Sequence, residues 1–206
     1  MSDLRTDVGR SGGPGGSGAR SARGRTILAA AAGLFARRGF HGVSIEDLGR
    51  AVGTSGPALY RHFPGKQALL SAMLLDISER LLAEGRARVA VADGPAAALD
   101  ALIAWHVDFA LDNPALITVH TRELDNVPDA DRRRVRRLQR QYAEVWVSVL
   151  ARLRPGEAPE RLRAAVHAAF GLINSTPYSA GELDRAALAA LLGAMARAAL
   201  IAAAPR

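Results

Sequence analysis

The sequence predicts an all-α chain. Three observations carry this. Apolar residues recur at i, i+3, i+4 and i+7 along one segment after another. Gly and Pro fall at the ends of those segments. No stretch alternates apolar and polar residues as a half-buried strand does. Nine helices are expected, with no internal repeat.

Residues 1–20 are dominated by Gly, Ser and Arg, show no apolar period, and are read as a disordered tail. Gly13 to Gly18 spell G-x-G-x-x-G, but no strand precedes them, so a dinucleotide site is rejected. The first helix runs from about Ser21 to Arg38, with Ile27, Leu28, Ala31, Leu34 and Phe35 as its apolar stripe and Gly39 as its stop. Next comes Val43 to Lys66, VSIEDLGRAVGTSGPALYRHFPGK. Ser44 suits an N-cap with Asp47 three residues on, a capping box in its Asp form, and Val43 and Leu48 can pack as a staple. Gly53 can take the left-handed conformation that closes this helix. Thr54 or Ser55 caps a second short helix with Pro57 in its first turn, Leu59 and Phe63 facing inward, and Pro64-Gly65 ending it. Helix, Gly-containing turn, short helix is the helix-turn-helix arrangement.

A long helix spans about Lys66 to Val91, with Leu70, Met73, Leu74, Ile77 and Leu81 on one side. Asp93-Gly94-Pro95 opens the next, to Asp112, with Leu99, Leu102, Ile103, His106, Phe109 and Ala110 on one face. Asn113-Pro114 begins a helix to about Asn126. Pro128 begins another to Arg154, with Val135, Leu138, Tyr142, Val145, Val149 and Leu153 inward. The run Arg132 to Arg137 near its start is read as a solvated face balanced by Asp125, Asp129 and Asp131, in preference to a second DNA site. The last two helices, Pro159 to Ser175 and Leu183 to Ala203, are rich in Ala and separated by a break around Pro177. Their small residues allow close contact, so they are assigned to a four-helix bundle made by two copies of the chain.

In a helix-turn-helix the second helix enters the DNA major groove N-terminal end first. That end here is Thr54-Ser55-Gly56-Pro57-Ala58, small enough for close backbone approach. Its hydroxyls can bond to base edges or phosphates, and its Pro and Ala carbons can meet a thymine methyl. Tyr60, Arg61, His62 and Lys66 follow as long donors on the phosphate flank, with Arg61 pointing either to DNA or to solvent. Tyr60 taken alone could equally cover the seam between helices. Ser44 completes the DNA-facing set. The arginines Arg5, Arg10, Arg20, Arg23 and Arg25 could reach a neighbouring groove, although a passive tail is the preferred reading.

Charge agrees. The 206 residues carry a net +7, and residues 1–66 hold ten Arg or Lys against four acids, a net +6. Hydrophobic residues make up 49%, enough for a sizeable core, and no apolar run is long enough to span a bilayer. The absence of cysteine removes disulfide and thiolate chemistry, and the opening MSDLRTDVGR lacks a signal-peptide core, so a cytoplasmic setting is expected. The five histidines form no metal-binding spacing, and no nucleophile elbow or P-loop occurs. Neither an enzyme nor a cofactor is expected.

Leu59 to Lys66, LYRHFPGK, with Arg25-Thr26-Ile27-Leu28, Leu34-Phe35, Gly39-Phe40 and Val43-Ser44, resembles the TetR family of bacterial repressors from about Arg25 to Leu75. Beyond that stretch the likeness is one of layout. The resemblance implies a TetR-like fold of nine helices. Residues 21–66 would form a three-helix DNA-binding domain, and residues 67–206 a helical ligand-binding and dimerisation domain. It implies a homodimer on a pseudo-palindromic operator in double-stranded DNA, released by a small-molecule effector. Trp105, His106, Phe109, His120, Tyr142, Trp146, Phe170 and Asn174 lie on helices expected to converge on an apolar pocket with a few polar groups. Arg122-Glu123-Leu124 and Asn174 to Pro177 look similar to actinobacterial members tied to lipid and acyl-thioester catabolism, which points to an acyl-CoA or lipid effector. The rivals are a hydrophobic drug or antibiotic, or an architectural protein that binds DNA without sequence preference.

Overall fold

The computed structural model describes residues 22–55, 59–179, 181 and 183–202. The expected tail, its arginines Arg5, Arg10 and Arg20, and the Gly56-Pro57-Ala58 tip lie outside the described residues, as do the side chains of Arg23 and Arg25. Among the described residues there is helix and no strand. The elements are α1 (Ala22–Arg38), α2 (Ile45–Ala51), α3 (Lys66–Val91), α4 (Pro95–Asp112), α5 (Pro114–Arg122), α6 (Asp129–Leu153), α7 (Pro159–Ile173), the single turn α8 (Thr176–Ser179) and α9 (Arg185–Ile201).

The helix ends follow local chemistry. Gly39 closes α1 at φ +70, its N–H donating to the Phe35 carbonyl at 2.9 Å. The capping box at α2 is complete: Asp47 N–H donates to Ser44 Oγ at 3.0 Å, and Ser44 N–H donates to Asp47 Oδ2 at 3.1 Å. These bonds hold the Asp47 carboxyl below its usual range, with Arg38 and Arg50 assisting. Pro occupies the first turn of α4, α5 and α7, where its missing N–H costs little. Asp184 caps α9 by accepting from Ala187 N–H at 2.8 Å.

Three boundaries differ from expectation. The helix begun at Pro114 stops at Arg122, and Leu124–Asn126 continues as a 3-10 turn. Buried Glu123 sits at the break, where its carboxylate accepts from Asn126 Nδ2 at 2.8 Å. The stretch around Pro177, expected to be a break, contains α8. Its buried Thr176 donates to the Ala110 carbonyl at 3.0 Å and so pins the turn to α4. The C-terminal helix begins at Arg185 instead of Leu183.

Two hydrophobic cores form. One gathers α1, α2, Leu59 and Phe63 with Leu69, Leu70, Met73 and Leu74 of α3, and it also takes Val119, Val127 and Val135 from further along the chain. The other lies around Trp146, Leu99, Leu102 and Leu150, among α4, α6, α7 and α9. Thus α3 contributes its first turns to one core and its later turns to the other. At Gly85 it meets α6 so closely that a Cβ would lie 2.7 Å from Tyr142 Cε2. The arginine run on α6 is the solvated face expected. Arg132 pairs with Asp129 and Asp125, Arg136 with Asp125, and Arg134 with Glu79 across on α3.

Candidate functional site

At the helix-turn-helix, Gly53 turns the chain at φ +63, and Thr54 N–H donates back to the Gly49 carbonyl at 2.9 Å. Leu59 N–H donates to the Ser55 carbonyl at 3.1 Å, and helix is present at Leu59 and Tyr60. Leu59 and Phe63 are buried and hold this segment against the core. Tyr60 is 51% exposed, so it does not cover a helix seam. Arg61 and His62 are exposed beside it, as are Ser44 and Ser55, while Thr54 is half-buried.

Lys66 is placed differently from the expected free donor at a phosphate. Its ammonium donates to the carbonyls of Phe40 at 2.7 Å and Val43 at 2.8 Å, and it lies 4.4 Å from the Phe40 ring centroid. Two of its three donors are thereby committed to the loop between α1 and α2. The reason is local: that loop leaves carbonyls without helical partners, and the first residue of α3 is within reach. Lys66 ties the start of α3 to the recognition module.

The second site is a cavity of about 200 Å³ in the body. α3 supplies Ile77, Ser78 and Leu81 to its wall, α4 supplies His106 and Phe109, and α5 supplies Leu116, Ile117 and His120. Gln139 and Tyr142 come from α6, with His167, Phe170 and Asn174 from α7 and its C-terminal end. Six of the eight residues expected to converge there do so. Trp105 does not, because successive helical residues point about 100° apart and His106 holds the inward direction. Trp105 instead lies against α3, with the Arg88 guanidinium 4.2 Å and that of Arg80 5.4 Å from its ring. Trp146 does not line the cavity either. It is fully buried one turn deeper, edge-on to His106, Tyr142 and Phe170.

Five polar groups of the cavity bond to one another. His106 Nδ1 lies 3.1 Å from the Tyr142 hydroxyl and Nε2 lies 3.2 Å from Asn174 Oδ1. Asn174 Oδ1 can only accept, so Nε2 carries the proton and Nδ1 accepts from Tyr142. Burial lowers the His106 pKa to about 4, and it raises that of Tyr142. His120 pairs with Gln139, and burial lowers its pKa as well. The rings of His106, Tyr142 and Phe170 stack nearly parallel, with centroids 4.9–5.7 Å apart. Among the described residues, no group of three His, Asp or Glu could hold a metal, and no helix is long and apolar enough to cross a membrane.

A small helix-turn-helix module joined by one shared helix to a helical body with an internal cavity is the build of a ligand-responsive DNA-binding regulator. The comparisons agree. Residues 27–73 match the family model for bacterial regulatory proteins of the tetR family, and residues 92–200 match that for the tetracyclin repressor-like C-terminal domain. The chain belongs to the tetR family of bacterial regulatory proteins. It is 26% identical over 132 residues to the HTH-type transcriptional repressor KstR2 of Rhodococcus jostii, which is 64% of this chain and 65% of that one. The chain thus spans a little under two thirds of that relative's length. A TetR-family regulator from Bordetella parapertussis superposes with a TM-score of 0.76 at 26% identity, covering 86% of this chain and 95% of the other. The structure of AibR in complex with isovaleryl coenzyme A and operator DNA superposes with a TM-score of 0.68, covering 84% and 97%. Its 18% identity speaks to fold alone.

Proposed function

We propose that the chain is a homodimeric repressor that leaves a pseudo-palindromic operator when a small apolar effector enters the cavity. Residues 21–66 read DNA, and residues 67–206 bind the effector and pair the two copies. The observation that carries this reading is α3. One helix supplies the Lys66 clamp at the recognition module and Ile77, Ser78 and Leu81 at the cavity wall. A ligand that favours a different wall position therefore changes where the recognition module sits, and it releases DNA to the extent of its differential affinity for the two forms.

Ser44, Thr54, Ser55, Gly56, Pro57 and Ala58 face the duplex in this reading, with Tyr60, Arg61 and His62 on phosphates. Lys66 acts by holding the loop. His106, Phe109, His120, Tyr142, Phe170 and Asn174 receive the effector, and Trp105 and Trp146 support them from behind. The dimer forms through α7 and α9. In α7, Ala164, Ala168 and Gly171 make an exposed stripe of small residues, and a Cβ on Gly171 would meet nothing within 4 Å. In α9, Leu191 and Met195 are about half exposed on one face. The small and bulky stripes suit a four-helix seam. The likeness to the KstR2 repressor supports the sign of regulation. An acyl-CoA or related lipid metabolite is the effector class preferred here, by analogy with AibR, which shares the fold and is seen with isovaleryl coenzyme A and operator DNA.

The test uses the full purified chain. Sedimentation is expected to give a dimer. Gel competition is expected to give preference for a duplex from its own promoter region over random DNA, with affinity falling steeply in salt. A monomer that ignores every such duplex would falsify the reading.

A further inference from the structure

The cavity differs from an ordinary surface cleft in one respect. Among the described residues, no Asp, Glu, Lys or Arg lines it. Its polar members are Ser78, His106, His120, Gln139, Tyr142, His167 and Asn174, and most are already engaged. Ser78 Oγ donates to the Leu74 carbonyl at 2.7 Å, His106 bridges Tyr142 and Asn174, and His120 is paired with Gln139. What remains for a guest are the Asn174 amide N–H bonds, the Gln139 carbonyl oxygen, a lone pair on Tyr142 and the imidazole of His167, which is exposed. Around them stand Ile77, Leu81, Phe109, Leu116, Ile117 and Phe170.

Resting on the effector reading above, we infer that this cavity selects against charge: it takes an uncharged molecule, or the uncharged end of a larger one, and refuses carboxylates and amines of the same size. A buried ion needs a partner of opposite sign; among the described residues no carboxylate, ammonium or guanidinium lines the wall, and His167 is exposed to solvent. Arg88, which acts on the Tyr142 hydroxyl from outside, is held by Glu84 at 2.5 Å and stacked over Trp105. Protonating His106 or His120 to meet an anion is costly, because burial lowers the pKa of both. With a pKa of about 4, only about one His106 in a thousand carries the extra proton at neutral pH. A free fatty acid is refused on these grounds, whereas an alcohol, an ester or the acyl end of a thioester is not. At about 200 Å³, the cavity holds such an acyl end and leaves the phosphates of a coenzyme outside.

The experiment is calorimetric titration of the full chain at neutral pH with octanol, octanoate, octylamine and octanoyl-CoA, with DNA release read in parallel. Octanol is expected to bind at least about tenfold more tightly than either ion, since each tenfold is only about 1.4 kcal/mol of ion desolvation. If octanoyl-CoA also binds, the guest is the acyl end of a thioester. If it does not, the guest is a free neutral molecule. Octanoate or octylamine binding as well as octanol does overturns charge selection but leaves the cavity standing as the effector site. Binding by none of the four overturns charge selection and the effector reading together. Gln139→Lys places a cation on the wall and is expected to raise octanoate affinity about tenfold or more. If that variant does not fold, the wild-type series still decides.

Discussion

The recognition module and the cavity are both built from helices, but they treat polar side chains in opposite ways. At the module, Tyr60, Arg61 and His62 stand in solvent, while the backbone, the Ser44–Asp47 capping box and the Lys66 clamp are satisfied internally. In the cavity, His106, Tyr142, Asn174, His120 and Gln139 are bonded to one another and largely removed from water. A surface that meets a duplex keeps its donors unspent. A pocket that opens only to a guest must satisfy its own groups meanwhile, because an unpaired buried polar atom is expensive. Substitutions of the exposed donors Tyr60, Arg61 and His62 should therefore cost binding with little change in stability, whereas substitutions in the cavity wall and behind it should cost stability.

The largest expected effect is at Trp146. Trp146→Ala removes the largest fully buried side chain and should cost about 3–5 kcal/mol in denaturant unfolding. Acid comes next. The unfolded chain takes up the His106 proton near pH 6.5, the folded chain only near 4. Stability from this group is therefore intact above about pH 6.5 and is lost as pH falls towards 4, by up to about 3 kcal/mol. Unfolding midpoints measured across that window should slope in wild type and slope less in His106→Phe, with His120 keeping part of the dependence; equal slopes would mean that the proton goes elsewhere. Ser44→Ala breaks the capping box and should cost about 1 kcal/mol, measured by the same unfolding. Tyr60→Ala should change stability by less than about 0.5 kcal/mol, yet weaken binding to operator and random duplex alike. A large stability loss there would erase the contrast between the two regions.

The helix-turn-helix was legible in the sequence because its determinants are local. Ser44 and Asp47 lie three apart, Gly53 needs no distant partner to turn, and Leu59 and Phe63 share a helical face. The clamp made by Lys66 was not legible, because its partners, the Phe40 and Val43 carbonyls, come from a loop whose path a linear reading does not supply. The cavity was legible in part. His106, Phe109, Tyr142 and Phe170 stood out as aromatic or polar groups on apolar stripes. Ile77, Ser78, Leu81, Leu116, Ile117, Gln139 and His167 were missed, since aliphatic residues on a stripe look the same whether they meet a core or a void. One signal was available: Leu116 and Ile117 sit four and three residues before His120, on the same face of α5. The turn α8 was lost because Pro177 reads as a breaker, although proline is also at home in the first turn of a helix.

Gly85 is placed where a fulcrum for the long helix would lie. There α3 rests against Tyr142 with no side chain of its own between them. Ser78 lies seven residues to one side of that point and Lys66 nineteen residues in the same direction, about 10 Å and 28 Å along the axis. If α3 pivots as a rigid rod there, a displacement of about 1 Å at the cavity wall becomes nearly 3 Å at the clamp. The chain would then convert the arrival of a handful of atoms into a misfit against the groove by leverage alone, and an Ala at position 85 would jam the hinge.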